Sequence, residues 1–217
     1  MSPTPLGPSR WHLDPTQWPE EDCVAAGADL EPETIVAAYR QGAFPMPHAG
    51  MLLWWSPLRR GVLTRQSLHV SRSLRRSMRR FTVTVDEAFD DVVAACADPR
   101  RPGAWIDDSI REAYGRLHRL GWAHSVETRD GDGRLVGGLY GLAIGGLFAG
   151  ESMFHRVTDA SKASLVNLLD LLEPDALVDV QWRTPHLASL GVHEWERARY
   201  LRVIADVTAA PLPTIWR

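Results

Sequence analysis

Residues 134–154 read Arg134-Leu-Val-Gly-Gly-Leu-Tyr-Gly-Leu-Ala-Ile-Gly-Gly-Leu-Phe-Ala-Gly-Glu-Ser-Met-Phe154. The run from Leu135 to Gly150 is uncharged and holds six glycines. It falls short of the ~20 residues that cross a bilayer, and six glycines weaken it as a helix, so it reads as strands. Gly145-Gly146 is a hairpin turn, so the stretch divides into two strands, about 134–144 and 147–154. Upstream, the turn Asp130-Gly131-Asp132-Gly133 follows a strand at about 122–129. Downstream, Leu165, Leu168, Leu169 and Leu172 share a face of a helix at about 160–172, and Pro174 lies beyond its end. Leu177-Val-Asp-Val-Gln-Trp182 is the next strand. Strands, a helix and then another strand predict an α/β (α+β) sheet domain with a crossover.

Outward from this block, Ile110, Ala113, Tyr114 and Leu117 share one helical face, and so do Phe89, Val92, Val93 and Cys96. Pro32 to Gln41 reads as a short helix with proline in its first turn and Gly42 just past its end. Phe44-Pro-Met-Pro47 is a loop, and Leu52 to Pro57 is a short strand or arm. These pieces predict a small N-terminal domain, 1–62, and a larger domain, 63–217. The prolines at 3, 5 and 8 predict a loose tail over about 1–10, without a signal peptide.

With 217 residues, 45% of them apolar, the chain can bury a sizeable core. A net charge of −3 gives no global attraction to nucleic acid, so any such pull must be local. Cys23 and Cys96 match no metal or redox spacing; a reducing cytoplasm fits, with both as small core residues. The eight histidines show no ligand spacing, and no metal is expected. Gly150 to Phe154 lacks the last glycine of a nucleophile elbow, and no phosphate-binding glycine motif precedes a helix.

Three polar residues stand out against this apolar frame. Glu151 closes the uncharged run and looks like an acid at the lip of an apolar cavity. On the strand 177–182, alternation puts Asp179 and Gln181 on one face and Val178, Val180 and Trp182 on the other. Such a pair is either a satisfied internal hydrogen bond or part of a site. Further upstream, Arg72, Arg75, Arg76, Arg79 and Arg80 fall within an arc of roughly 140° on one helix, opposite Val70, Leu74 and Met78. A stripe of guanidiniums suits a phosphate backbone. It also suits a solvated face in a chain with a single lysine, Lys162, among 24 basic residues.

Ordered segments then carry a resemblance. They include Ala38-Tyr-Arg-Gln-Gly-Ala-Phe-Pro45, Leu53-Trp-Trp-Ser-Pro57, Leu68-His-Val-Ser-Arg-Ser-Leu-Arg75, Ala123-His-Ser-Val-Glu127, Phe148 to Phe154 and His186 to Gly191. From about residue 20 to 205 the chain resembles the leucyl/phenylalanyl-tRNA–protein transferases. The resemblance implies transfer of leucine or phenylalanine, in some members methionine, from charged tRNA. The acceptor is the N-terminal amine of proteins beginning with arginine or lysine, which are thereby marked for degradation. It implies an acetyltransferase-like (GNAT-like) acyl-transfer domain, a cytoplasmic location, and no metal or dissociable cofactor. A monomer without membrane attachment is expected.

Carried over by residue, Asp179 and Gln181 match the catalytic pair, and Glu151 matches an acid at the substrate site. Trp105 matches an aromatic on the terminal adenosine; Met46 stands where the family usually has tryptophan. Leu139, Phe148, Met153, Leu165 and Val178 match the amino-acid pocket. Arg72, Arg76, Arg79 and Arg80 match positions that hold the tRNA acceptor arm, and Arg75 shares their face. Thr184 replaces the family's amide three residues after Gln181, and Glu31 replaces its serine helix cap. An amide cannot store a proton. Gln181 is therefore expected to orient the amine, with Asp179 behind it to relay or balance the proton. Glu151 would share that load or hold the cationic N-terminus. A coenzyme A acyltransferase would need a backbone pyrophosphate cradle, and His155 to Asp159 has no glycine to build one. A mere RNA-binding module would have no use for Glu151, Asp179 and Gln181.

Overall fold

The computed structural model describes residues 2–101 and 103–217. Its elements run β1 (Cys23–Ala26), α1 (Pro32–Arg40), β2 (Phe44–Pro45), β3 (Leu53–Trp55), β4 (Arg59–Leu63), α2 (Arg72–Met78), β5 (Thr82–Val85), α3 (Phe89–Cys96), α4 (Asp108–Arg119), β6 (Ala123–Arg129), β7 (Leu135–Ile144), β8 (Leu147–His155), α5 (Ala160–Leu171), β9 (Leu177–Gln181), α6 (Pro185–Ala188), β10 (His193–Glu196) and α7 (Arg197–Ala209). The large sheet has the order β10-β4-β9-β8-β7-β6-β5, and β1-β3-β2 form a small one. Every pair in the large sheet is antiparallel except β8 and β9, which the α5 crossover makes parallel.

Alternation along β7 feeds two cores. Tyr140, Leu142 and Ile144 join α1, α3, α4, α7 and the small sheet on one face. Leu139 and Ala143 join α5 and Leu74 of α2 on the other. The result is a mixed sheet between two helical layers. Strand β4 lies inside the large sheet, so the segment expected as a separate unit 1–62 ends by contributing a strand to the larger one.

Local chemistry sets the helix ends. Asp107 caps α4 by accepting from the Ile110 amide at 3.0 Å, and Ser71 caps α2 by accepting from the Leu74 amide at 3.2 Å. Glu31 caps nothing with its side chain; it faces Arg116 of α4 at 3.4 Å instead. The N-terminal stretch expected to be loose is tied down. The Trp122 indole donates to the Thr4 carbonyl at 2.9 Å, and the Thr4 amide donates to Leu120. Cys96 is buried as expected, but Cys23 is only half-buried. Among the described residues no helix is long and apolar enough to cross a membrane.

Candidate active site

The parallel pairing of β8 with β9 runs only from Leu147–Leu177 to Ala149–Asp179, yet β8 continues to His155. Each strand has an irregularity at that point. Tyr140 pairs with Ser152 and Gly141 with Gly150, which leaves Glu151 as the extra residue of a bulge. Gly61 pairs with Gln181 and Val62 with Asp179, which makes Val180 the extra residue on β9. Glycine on the facing strand makes each bulge possible. A Cβ on Gly141 would lie 2.2 Å from the Ala149 carbonyl oxygen, and one on Gly61 would meet the Arg183 nitrogen at 3.0 Å. The splayed strands leave a cavity of about 250 Å³ between them. That is at the small end for ligand sites, a size for one side chain and its carbonyl rather than for a large ligand.

Glu151 and Gln181 both line this cavity, together with Leu139, Phe148, Met153, Leu165 and Val178. Asp179 does not. Gln181 adopts φ +57°, in the left-handed region, which costs a non-glycine residue about 1–3 kcal/mol. With the bulge, this turns Gln181 onto the face of Val178 and Val180. The strict alternation expected for Asp179 and Gln181 therefore fails, and the two side chains point to opposite sides. Gln181 is 8% exposed, and its buried Nε2 has no hydrogen-bond partner.

Asp179 is fully buried behind the cavity and saturated with donors. Arg60 donates through Nε at 2.8 Å to Oδ1 and through Nη2 at 2.6 Å to Oδ2. The Tyr200 hydroxyl donates to Oδ2 at 2.8 Å, and the backbone amide of Gln181 donates to Oδ1 at 2.9 Å. Arg60 is itself 1% exposed and lies between the rings of Phe44 and Tyr200, 4.8 and 4.5 Å from their centroids. The expectation that Asp179 relays a proton meets a carboxylate already committed to a bidentate ion pair. Its visible action is to hold the Gln181 backbone in its unusual conformation.

Glu151 sits in a different setting. Burial pushes its carboxyl up to about 8, and the nearby Asp179 charge adds to this. Hydrogen bonds with Tyr39 and Tyr114 and the Arg60 charge act the other way. Tyr39 of α1 donates its hydroxyl proton to Glu151, and its oxygen lies 2.9 Å from the Tyr114 hydroxyl of α4. Because Tyr39 has one proton, Tyr114 is the donor in that second bond. The result is a buried chain Tyr114–Tyr39–Glu151 that ends in the cavity.

The remaining expected residues fall elsewhere. Trp105 and Met46 line a separate groove of about 580 Å³ with Pro47 to Gly50. Arg72, Arg75 and Arg76 are exposed on α2, but the helix ends at Met78. Arg79 and Arg80 therefore lie on the following turn, also exposed, rather than on one continuous helical stripe. None of the five forms a salt bridge with a described residue. Thr184 caps α6 by accepting from the Leu187 amide at 3.2 Å and also lines the cavity. No group of three or more histidine, cysteine, aspartate or glutamate side chains among the described residues could hold a metal ion. Arg60, Tyr39 and Tyr200 have no sequence signal as site residues: one follows another arginine, and two are apolar-face tyrosines.

Comparison with known proteins places this geometry in a family. The model described as "Leucyl/phenylalanyl-tRNA protein transferase" matches residues 62–205, and that of its N-terminal domain matches 28–58. Proteins named leucyl/phenylalanyl-tRNA–protein transferase from Aromatoleum aromaticum and Stutzerimonas stutzeri are 52% and 50% identical over 201 residues. These alignments take in 89% of this chain and 84% and 88% of theirs. One from Aeromonas hydrophila is 43% identical over 93% of this chain and 89% of its own. The solved structure of L-PGS from Bacillus licheniformis overlays with a TM-score of 0.40 at 12% identity, covering 73% of this chain and 55% of that one, too slight a likeness to carry weight. The chain belongs to the leucyl/phenylalanyl-tRNA protein transferase family.

Proposed function

We propose that the chain is an aminoacyltransferase that moves leucine or phenylalanine from charged tRNA to the N-terminal amine of proteins beginning with arginine or lysine. The acceptor so modified is marked for degradation in the cytoplasm. The observation that carries the proposal is the apolar cavity at the split of β8 and β9, with the carboxyl of Glu151 and the unpartnered amide of Gln181 at its wall. The parting of the parallel strands β8 and β9 at the cavity also supports an acetyltransferase-like acyl-transfer fold.

The donor is an activated ester, so the chemistry needs orientation, a proton acceptor and stabilisation of the tetrahedral oxyanion. The donor side chain enters among Leu139, Phe148, Leu165 and Val178. The terminal adenosine lies on Trp105 and Met46, and the acceptor arm on Arg72, Arg75, Arg76, Arg79 and Arg80. Gln181 fixes the reacting groups: its oxygen receives the amine, and its Nε2 gains from the substrate the acceptor it lacks. Asp179, clamped by Arg60 and Tyr200, positions Gln181 through its backbone amide. An α-amine has a reference pKa near 8, and the Glu151 carboxyl is held at about 8. Proton exchange between the two is therefore nearly balanced. Glu151 takes the proton released as the amide forms, with Tyr39 donating to the anion. The ester oxygen leaves as a ribose hydroxyl, protonated by its neighbouring hydroxyl, which in turn recovers the proton taken up by Glu151, so that the site returns to its starting state.

The test is direct. Incubation with leucyl- or phenylalanyl-tRNA and an arginine-starting peptide should add one amino-acid residue to the peptide by mass spectrometry. A peptide left unchanged by every charged tRNA, with the tRNA bound, would make the chain a binder and not a transferase.

A further inference from the structure

The segment Thr214–Trp216 packs behind Phe148, one of the residues that line the cavity. Thr214–Trp216 form a single 3-10 turn, and Trp216 is 2% exposed. Its ring stacks on Phe148 with centroids 5.6 Å apart and planes 23° apart. On the other side it stacks on His124 at 4.3 Å, and His124 is held by Asp86 at 2.7 Å. Glu173 anchors the turn by accepting from the Thr214 hydroxyl at 3.0 Å and facing Arg217 at 3.4 Å. The Trp216 indole nitrogen is buried without a partner. A tryptophan that forgoes its hydrogen bond is held there by its ring contacts.

Phe148 is the link to the site, because it lines the cavity. It has little freedom toward the sheet: a Cβ on Gly141 would lie 2.6 Å from its ring. With the sheet on one side and Trp216 on another, the ring has one place to be. Trp216 lies beyond residue 205, where the family match ends.

We propose that Trp216 is a positioning residue that sets the depth of the amino-acid cavity through Phe148, and so sets the chain's preference between leucine and phenylalanine. The proposal rests on the acyl-transfer function of that cavity. Without the indole, Phe148 swings back into the vacated space and the cavity deepens. A branched four-carbon side chain then loses contacts, while a benzyl side chain fits more easily.

The experiment compares kcat/KM for leucyl- and phenylalanyl-tRNA, with one arginine-starting peptide, in the wild type, Trp216→Phe and Trp216→Ala. The ratio of the two values is independent of how much of each sample is folded, so a loss of stability alone leaves it unmoved. The phenylalanine-to-leucine ratio should rise about tenfold in Trp216→Ala, the scale of one or two methylenes in an apolar pocket. It should rise by a smaller factor in Trp216→Phe, which decides the matter where the alanine variant does not fold. In a Phe148→Leu background, Trp216→Phe should leave the ratio unchanged. A ratio within twofold of wild type in the folded variants, with both donors falling together, would overturn the inference while leaving the function standing. A wild type that transfers neither donor would overturn both.

Discussion

Replacing Arg60 with methionine tests the link between the buried ion pair and the chemistry. Arg60 and Asp179 are 1% and 0% exposed and share two short hydrogen bonds. Removing one partner of such a pair leaves an uncompensated buried charge and costs about 3–5 kcal/mol. Against a typical total of ~5–15 kcal/mol, that is a large share. Urea denaturation should show it as a lower midpoint with an unchanged slope. Activity should fall for a separate reason. Freed from its clamp, the Asp179 carboxylate no longer holds the Gln181 amide, and the left-handed conformation at Gln181 relaxes. A displacement of about 1 Å at a reacting group is worth on the order of a hundredfold in rate. The double variant Arg60→Met/Asp179→Leu separates the two effects. It removes both charges, so most of the stability should return, while kcat stays low because nothing holds the Gln181 amide. If Arg60→Met lost less than about 1 kcal/mol and kept normal turnover, the pair would be neither buried nor coupled to Gln181, and the account of the bulge would be wrong.

Glu151 predicts a pH signature. Its folded carboxyl is raised from 4.5 to about 8, so between these values the folded state holds a proton that the unfolded state has lost. Wild-type stability should therefore fall as pH rises from about 5 to 8 and level off above, and Glu151→Gln should lose that slope; parallel curves for the two proteins would refute the assignment. Tyr39→Phe removes a hydrogen bond that lowers the Glu151 pKa, so the acidic limb of the rate profile, where Glu151 must lose its proton to act as base, should move to higher pH; a profile that stays put would remove Tyr39 from the proton path. Arg76→Ala with Arg79→Ala should weaken tRNA binding and reduce its salt dependence, by about one unit of slope per lost phosphate contact, while use of a minimal aminoacyl-adenosine donor is unchanged. Equal loss of that small donor would make these arginines structural.

The central strands and the crossover helix were legible because turn glycines and apolar spacing mark them independently of context. β6 to β9 and α5 lie within a residue or two of their expected bounds. The strand β4 was not legible: Arg59-Arg60-Gly61 looks like a solvated turn, and only its place beside β9 gives Arg60 a buried partner. The apolar lining of the cavity was reachable through family resemblance, and Glu151 was visible as an acid closing an apolar run. What alternation cannot show is a bulge. One extra residue at Glu151 and another at Val180 change which side chains share a face, and the facing glycines, Gly141 and Gly61, read equally well as ordinary turn or strand glycines until the pairing is known. That is why Asp179 and Gln181 were expected side by side and lie on opposite sides of the strand. The helix carrying the arginines was read too long for a similar reason: Arg79 and Arg80 continue its periodicity, but the chain turns at Met78.

The measurement closest to the central claim is a crystal structure with an amide-linked phenylalanyl-adenosine, which mimics the charged end of tRNA but cannot transfer. The account predicts the phenyl ring between Leu139, Phe148 and Leu165, its carbonyl within hydrogen-bond reach of Gln181 Nε2, and the adenine near Trp105. An analogue bound elsewhere, with the cavity between β8 and β9 still empty, would contradict it.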